Sequence, residues 1–315
     1  MSKEATWSEP HVVVVLNWRG RTDTLACVES LVEGSPEAQV LVVDNGSADG
    51  TLEAVAERWP AVHLVALDRN HGFSGGMNRG IRHAMDELAA GTVTILNNDT
   101  VISPGAMTAL ASIAESADVA VCPVVRYRDD PDKLWFGGGS LDVANGFPFH
   151  TAPEDLELCE SGLRSSTVLA GCCITARSDA WRRVGLFDER FFLNFEDSEW
   201  SLRAAACGIR LVVACDVSIL HAVSASFTGS AARLGTFYYL RNGLLFARLA
   251  GAGLRARMEF VRRFGLAGTR HLGSRGRARA LLLLAWAIGA DVARRYGEAP
   301  LALQRRVARW SQESE

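Results

Sequence analysis

"HVVVVLNW", residues 11–18, decides the fold. A strand with one wet face alternates apolar and polar residues, and this run does not alternate. Its β-branched, apolar character reads as a central parallel strand covered on both faces. The flanking sequence repeats the theme. "RTDTLACVESLVEG" (21–34) has helical spacing at Leu25, Val28, Leu31 and Val32, and Gly34 ends it. "AQVLVVDNGSADGT" (38–51) is a second buried strand breaking into a turn. "LEAVAERW" then reads as a helix, "VHLVAL" as a third strand, "GGMNRGIRHAMDELAAG" as a helix and "TVTILNND" as a fourth strand. Strand and helix alternating through short joints predict a doubly wound α/β sheet.

Ligands of such sheets bind beyond the carboxyl ends of the strands. Asn17, Asp44, Arg69–Asn70 and Asp99 all fall at such ends. After residue 125 the pattern loosens. "RYRDDPDKLWFGGGSLDVANGFPFHTAPEDLE" (126–157) reads as a long irregular excursion, of the kind usually tied to function. "STVLAGCCITARSDAWRRVG" (166–185) resumes with a strand and a helix, and "RLVVACDVSIL" (210–220) is a further strand. "AVSASFTGSAARLG" (222–235) reads as a small-residue loop, and helices are expected from there to the end. The apolar run from Ala280 to Ala290 is cut by Asp291, short of the roughly 20 residues a helical span needs.

A length of 315 residues suffices for a sizeable core, and 48% hydrophobic with 22% charged residues is ordinary globular composition. The N-terminus reads as carrying no secretory signal. The seven cysteines form no CxxC pair and no zinc-finger spacing, so reduced thiols in a cytoplasmic protein are expected, with Cys172–Cys173 the one conceivable redox pair. Charge is segregated. Residues 1–240 carry 18 basic and 31 acidic side chains, whereas 241–279 carry ten arginines against Glu259 alone. Two readings of that basic segment stand: a face toward an anionic membrane or ligand, and a solvated helical face. Nothing points to nucleic acid.

A dinucleotide-binding turn needs Gly-x-Gly-x-x-Gly after the first strand, and "LNWRGRTDT" lacks it. The glycines lie instead in "RNHGFSGGMNRGI". Gly72, Gly75 and Gly76 either bring backbone N–H groups to a phosphate or ribose, with Asn70 and Asn78 alongside, or form a plain turn. Asp44 either stabilises its turn or accepts a hydrogen bond from a nucleobase or ribose. Asp99 with a distant imidazole, His221, is chemically adequate for a divalent cation, because a nucleoside diphosphate and water supply the other ligands. In "NFEDSEWSLRAAACG", Asn194 is a candidate helix cap, and Glu196, Asp197 and Glu199 suit the positive end of a helix dipole. Partial burial of one of these carboxylates would make it a better base. Trp200 is a candidate wall for an acceptor or a core residue.

Taken in order, "VVVVLNW", "VVDNGSADGT", "NHGFSGGMNRGI", "ILNNDTVISPGA", "VLAGCCITARSDAWRRVGLFDERFFLNFEDSEWSLRAAACGIRL" and "HAVSASF" resemble the inverting glycosyltransferase family 2. "YYLRNGLLFARLAG" resembles its rhamnosyltransferase-like branch. The resemblance implies a GT-A, Rossmann-like fold: a mostly parallel central sheet flanked by helices, with a C-terminal helical appendage. We expect a nucleotide-sugar-binding and catalytic domain over 1–236 and a helical region over 237–315. It further implies an enzyme moving a sugar from a nucleotide-diphosphate donor, dTDP-rhamnose-like or UDP-hexose, to a glycan, lipid-linked or small-metabolite acceptor. By the same resemblance Asp197 is the general base, Asp44 contacts the nucleoside, and Asp99 and His221 hold Mg2+ or Mn2+ at the diphosphate. Gly171, Glu196 and Trp200 fall to the acceptor, and Asn17, Asn70, Gly72, Gly75, Gly76 and Asn78 to the donor. Asn97 replaces the first acid of the Asp-x-Asp pattern, and Glu199 stands where many members have a second Asp. A cytoplasmic enzyme is implied, peripheral at the inner membrane face if residues 241–279 meet lipid. A sugar nucleotidyltransferase and a non-catalytic carbohydrate- or membrane-binding protein are the competing readings; the first lacks its Gly-x-Gly-x-Arg loop here.

Overall fold

The computed structural model describes residues 9–142, 147–151, 162–223, 229–269 and 272–312. The first half alternates as expected: β1 (His11–Asn17), α1 (Arg21–Gly34), β2 (Gln39–Asp44), α2 (Thr51–Arg58), β3 (His63–Ala66), α3 (Gly72–Asp86) and β4 (Thr92–Asn97). A short β5 (Thr100–Ile102) leads to α4 (Ala106–Ala117) and the long β6 (Val119–Tyr127). The excursion expected to be irregular contains short strands, β7 (Leu134–Phe136), β8 (Gly139–Asp142) and β9 (Phe147–His150), and β10 (Leu163–Ser165) follows it. Strands of three or four residues interrupted by glycine leave too little periodicity to read. Then come β11 (Cys173–Arg177), α5 (Ser178–Val184), α6 (Glu196–Ala206) and β12 (Arg210–His221). The C-terminal helices are α7 (Gly229–Leu249), α8 (Leu254–Phe260), α9 (Ser274–Val292) and α10 (Leu301–Gln312). Since α7 begins at Gly229, the small-residue segment expected as loop to residue 235 is helical in its later part.

The main sheet runs β10-β12-β6-β11-β4-β1-β2-β3 among the described residues. β3, β2, β1 and β4 are parallel neighbours, and β1 lies inside them with Val12 to Val15 fully buried. The other half is mixed. β11 is antiparallel to both β4 and β6, and β12 is parallel to β6.

Two glycines set how closely α3 approaches this sheet. A Cβ on Gly80 would fall 2.4 Å from Val14 Cγ1, and one on Gly76 would fall 2.8 Å from Leu16 Cδ1. Only a bare backbone fits there.

Two apolar clusters result. One fills the space around the sheet. The other joins the C-terminal helices and includes Phe191 and Phe195 from the segment that leads into α6. No helix among the described residues is long and apolar enough to cross a membrane. The thiols of Cys27, Cys122, Cys172, Cys173 and Cys207 are free. Burial holds Cys172 and Cys173 well above the usual thiol range, which removes them as a reactive pair. Cys215 departs from the expectation of reduced thiols throughout: it is disulfide-bonded, where β12 slips register against β6 between Ala214 and Ser218. Its partner lies outside the described residues.

Candidate active site

Strand register assembles the site. Asn17 pairs with Asp44 across β1 and β2, and Leu16 pairs with Asn97 across β1 and β4, so the strand ends stay level. β5 runs antiparallel along the end of β12, with Thr100 opposite His221. That return places Asp99 beside the imidazole. On the other flank Asn97 N–H donates to Cys172 C=O at 2.9 Å, which carries Gly171 to the same rim.

At the ends of β1 and β2 Asn17 is fully buried beneath Asp44. Its Nδ2 donates to Asp44 Oδ1 at 2.8 Å, and its Oδ1 accepts from Thr24 Oγ1 at 2.8 Å. Asn17 was expected to meet the donor; with its amide spent internally, it supports Asp44 instead. Asp44 Oδ2 accepts the Ser47 N–H at 3.0 Å, the turn-stabilising contact. Asn70 Oδ1 accepts from Gly72 N–H at 2.8 Å and from Asn45 Nδ2 at 3.1 Å. Asn45, which the sequence reading passed over, also binds Gly72 C=O and His71 N–H, fixing the entry to α3.

The glycine-rich segment differs from expectation. Gly72 borders the cleft, but its φ of +75° and a Cβ position 2.3 Å from Phe192 C=O show that it makes room for Phe192. Gly75 backs onto His71 and Arg79, while Gly76 seats α3 on Leu16 and Asn45; neither borders the cleft. Asn78 is spent on Phe187, accepting its N–H and donating to its C=O, both at 2.9 Å. Gly75 and Gly76 lie against side chains and Asn78 against the Phe187 backbone, so none of the three borders the cavity.

Asp99 and His221 are both buried, with Oδ1 and Nε2 3.0 Å apart. The ring stands edge-on to Trp135 at 5.0 Å, and its Nδ1 is buried without a partner. Neighbouring ligands on an octahedral cation at 2.0–2.1 Å lie about 3 Å apart, so this pair suits two adjacent positions. Asn97 presents its amide 3.4 Å from Nε2, and its Oδ1 is buried without a partner. Among the described residues no group of three His, Cys, Asp or Glu converges on a point. Two protein ligands plus phosphate oxygens and water fit a hard divalent ion.

Opposite them stands Asp197 in the first turn of α6. Its Oδ2 accepts Gly171 N–H at 2.8 Å, and its Oδ1 accepts Ser198 N–H at 2.6 Å. A Cβ on Gly171 would lie 3.1 Å from Asp197 Cβ, so glycine permits this approach. The expected Asn194 cap is absent. Phe195 occupies the cap position in a left-handed conformation with no side-chain cap bond. Glu196 is buried with Oε2 unpartnered, and burial, reinforced by the neighbouring Asp197 charge, pushes its carboxyl well above the usual range. Glu199 is tied to Arg203 through 2.8 and 2.9 Å contacts and takes no part in the cleft. Trp200 is corrected from acceptor wall to core. It is fully buried, lies tilted against Trp181 with ring centroids 4.5 Å apart, and donates Nε1 to Gly185 C=O.

Asn70, Gly72, Asp99, Gly171, Asp197 and His221 border one cavity of about 590 Å³. Its apolar wall is unanticipated: Trp135, Phe136 and His150 of β7 and β9, with Phe192 and Tyr238 across from them. The only sequence signal was the density of aromatic residues inside the excursion.

A sequence model of glycosyl transferase family 2 matches residues 12–180. The chain is 31% identical over 206 residues to an N-acetylglucosaminyl-diphospho-decaprenol L-rhamnosyltransferase of Mycobacterium tuberculosis, covering 58% of this chain and 66% of the relative. It thus spans just under two thirds of that protein's length. It is 26% identical over 186 residues to the dTDP-rhamnosyl transferase RfbF of Shigella flexneri, covering 58% and 60% of the two chains. The fold is shared with GalNAc-T7, solved with UDP, GalNAc and Mn2+ (TM-score 0.57, 16% identity, 84% of this chain and 58% of that one). It is shared also with the mannosyltransferase PcManGT of Pyrobaculum calidifontis, solved with GDP-Man and Mn2+ (TM-score 0.55, 18% identity, 98% and 84%). These are GT-A glycosyltransferases, and with more than half of its length matched by the family's sequence model, the chain belongs to glycosyl transferase family 2.

Proposed function

We propose that this protein is an inverting glycosyltransferase that moves a sugar from a nucleotide-diphosphate sugar to an acceptor hydroxyl, with Asp197 as general base. The observation that carries the reading is that one cavity is bordered both by the Asp99–His221 pair and by the Asp197 carboxylate. Asp197 is held from two sides by Gly171 and Ser198, so its orientation is fixed before an acceptor arrives. It takes the proton as the acceptor oxygen bonds to the anomeric carbon and the bond to the diphosphate breaks. The transition state is oxocarbenium-like. Asp99 and His221 would hold Mg2+ or Mn2+, which supplies Lewis-acid neutralisation of the charge left on the diphosphate. Asp44 serves the nucleoside, and Trp135, Phe136 and Phe192 keep water from the reacting atoms.

For the donor we favour dTDP-rhamnose, with UDP-hexoses second, because rhamnosyl transfer is named in two of the relatives. For the acceptor we favour a lipid-linked glycan reached at a membrane surface, as the name of the mycobacterial relative suggests for that protein. Leu254 and Met258 of α8 are 65% and 60% exposed, and Phe264 and Leu266 stand out just beyond, among Arg255, Arg262 and Arg263. Apolar side chains among arginines suit an anionic bilayer. The enzyme would then work from the cytoplasmic side as a peripheral protein. A thermal-shift screen of nucleotide sugars with and without Mn2+ tests the donor, since a ligand of the folded state raises its stability by mass action. A metal-dependent shift with dTDP-rhamnose is expected; no shift with any nucleotide sugar would overturn the reading.

A further inference from the structure

Arg241 and Asn242 lie side by side in α7, 1% and 0% exposed. Asn242 Nδ2 points at three backbone carbonyls: Leu193 at 2.7 Å, Phe191 at 3.1 Å and Asn194 at 3.3 Å. Its Oδ1 accepts from Arg241 Nε at 2.9 Å, which fixes which end of the amide donates. Arg241 Nη2 reaches Arg190 C=O at 3.5 Å. Among the described residues no carboxylate pairs with this guanidinium. It lies instead 5.1 and 5.2 Å from the ring centroids of Phe237 and Tyr238. Arg241 and Asn242 together are aimed at one stretch of backbone, residues 190–194.

That stretch runs into an unusual turn. Asn194 and Phe195 have φ of +71° and +70°, a left-handed pair without glycine. Such a conformation persists only where its surroundings hold it, and such turns cluster at functional sites. α6 starts at the next residue with no side-chain cap, and Asp197 is its second member. The direction in which the turn launches α6 therefore sets where the Asp197 carboxylate meets Gly171 N–H.

We propose that Asn242, fixed by Arg241, is a positioning residue for glycosyl transfer: it holds the left-handed turn at Asn194–Phe195 and thereby aims Asp197 into the cleft. The proposal rests on Asp197 being the base. It gives the C-terminal helical region a share in the chemical step although it contributes no reacting group.

A double-mutant cycle tests it, with transfer measured from whichever of dTDP-rhamnose or a UDP-hexose the thermal-shift screen retains. Asn242→Ala should lower kcat by about 10- to 100-fold at nearly unchanged nucleotide affinity, the scale expected of a misplaced catalytic group. Asn242→Ser, which keeps a single donor, should recover part of the loss. In the Asp197→Asn background the alanine change should cost less than about twofold, because coupled residues are not additive. An equal loss in both backgrounds, or a wild-type rate for Asn242→Ala, overturns the positioning role. Should the alanine variant not fold, the serine variant carries the same cycle. A wild-type rate for Asp197→Asn alone would instead remove the base assignment, whatever Asn242 does.

Discussion

The Asp99 carboxylate and the His221 imidazole stand 3.0 Å apart because β5 returns along the end of β12. Asp99→Ala should abolish the gain in donor affinity that a divalent cation brings. Asn97→Ala, which removes only an amide 3.4 Å from the imidazole, should cost no more than about tenfold, the low end for an outer partner. Titration calorimetry with and without Mn2+ separates the two. Equal losses, or full activity in chelator, would contradict the assignment.

Asp197→Asn keeps the shape of the carboxylate but cannot take a proton. We expect transfer to fall by about 10² to 10⁴ at near-normal donor affinity, with a modestly lower melting temperature because either Gly171 or Ser198 N–H loses its acceptor. The product should carry the anomeric configuration opposite to the donor's, readable by NMR. Retained configuration would rule out a single displacement.

Glu196 gives a pH signature. Its folded-state pKa lies above the unfolded value through burial first and Asp197 second, so the folded protein holds this proton more tightly. The stabilisation is complete below the ordinary glutamate range and declines as pH rises above it. Glu196→Gln should therefore flatten the fall in stability with rising pH. Denaturation midpoints across that range provide the check, and parallel curves for the two proteins would show that Glu196 is not the cause.

The exposed apolar and basic face predicts binding to anionic vesicles that weakens steeply with salt, since each arginine near the surface contributes about 1 kcal/mol. Leu254→Ser with Met258→Ser should weaken binding further without altering soluble nucleotide affinity. Absence of vesicle binding at low salt would leave these helices as an ordinary appendage.

The valines of β1 made the sheet legible, and the strand-end position of Asp99 one rim of the cleft, because both depend on local pattern. Trp200 was not legible. Two faces of one helix turn differ by a single step in sequence, and which one meets Trp181 is settled only by tertiary packing. The glycines of α3 misled for a related reason. A bare backbone serves a phosphate or a closely packed strand equally well, and Val14 and Leu16 decide between them. Asn45, Trp135 and His150 became visible only when strands distant in sequence brought them together. Asn242 lies 45 residues beyond Asp197, and no local signal connects them.

Phe187 and Trp200 belong to the apolar cluster of the sheet, whereas Phe191 and Phe195, between them in sequence, belong to that of the C-terminal helices. The segment that bears Asp197 is thus a rivet through two plates. Shaving off the helices would not expose a spare catalytic half: it would pull two phenylalanines into water and let go of the very stretch that delivers the carboxylate.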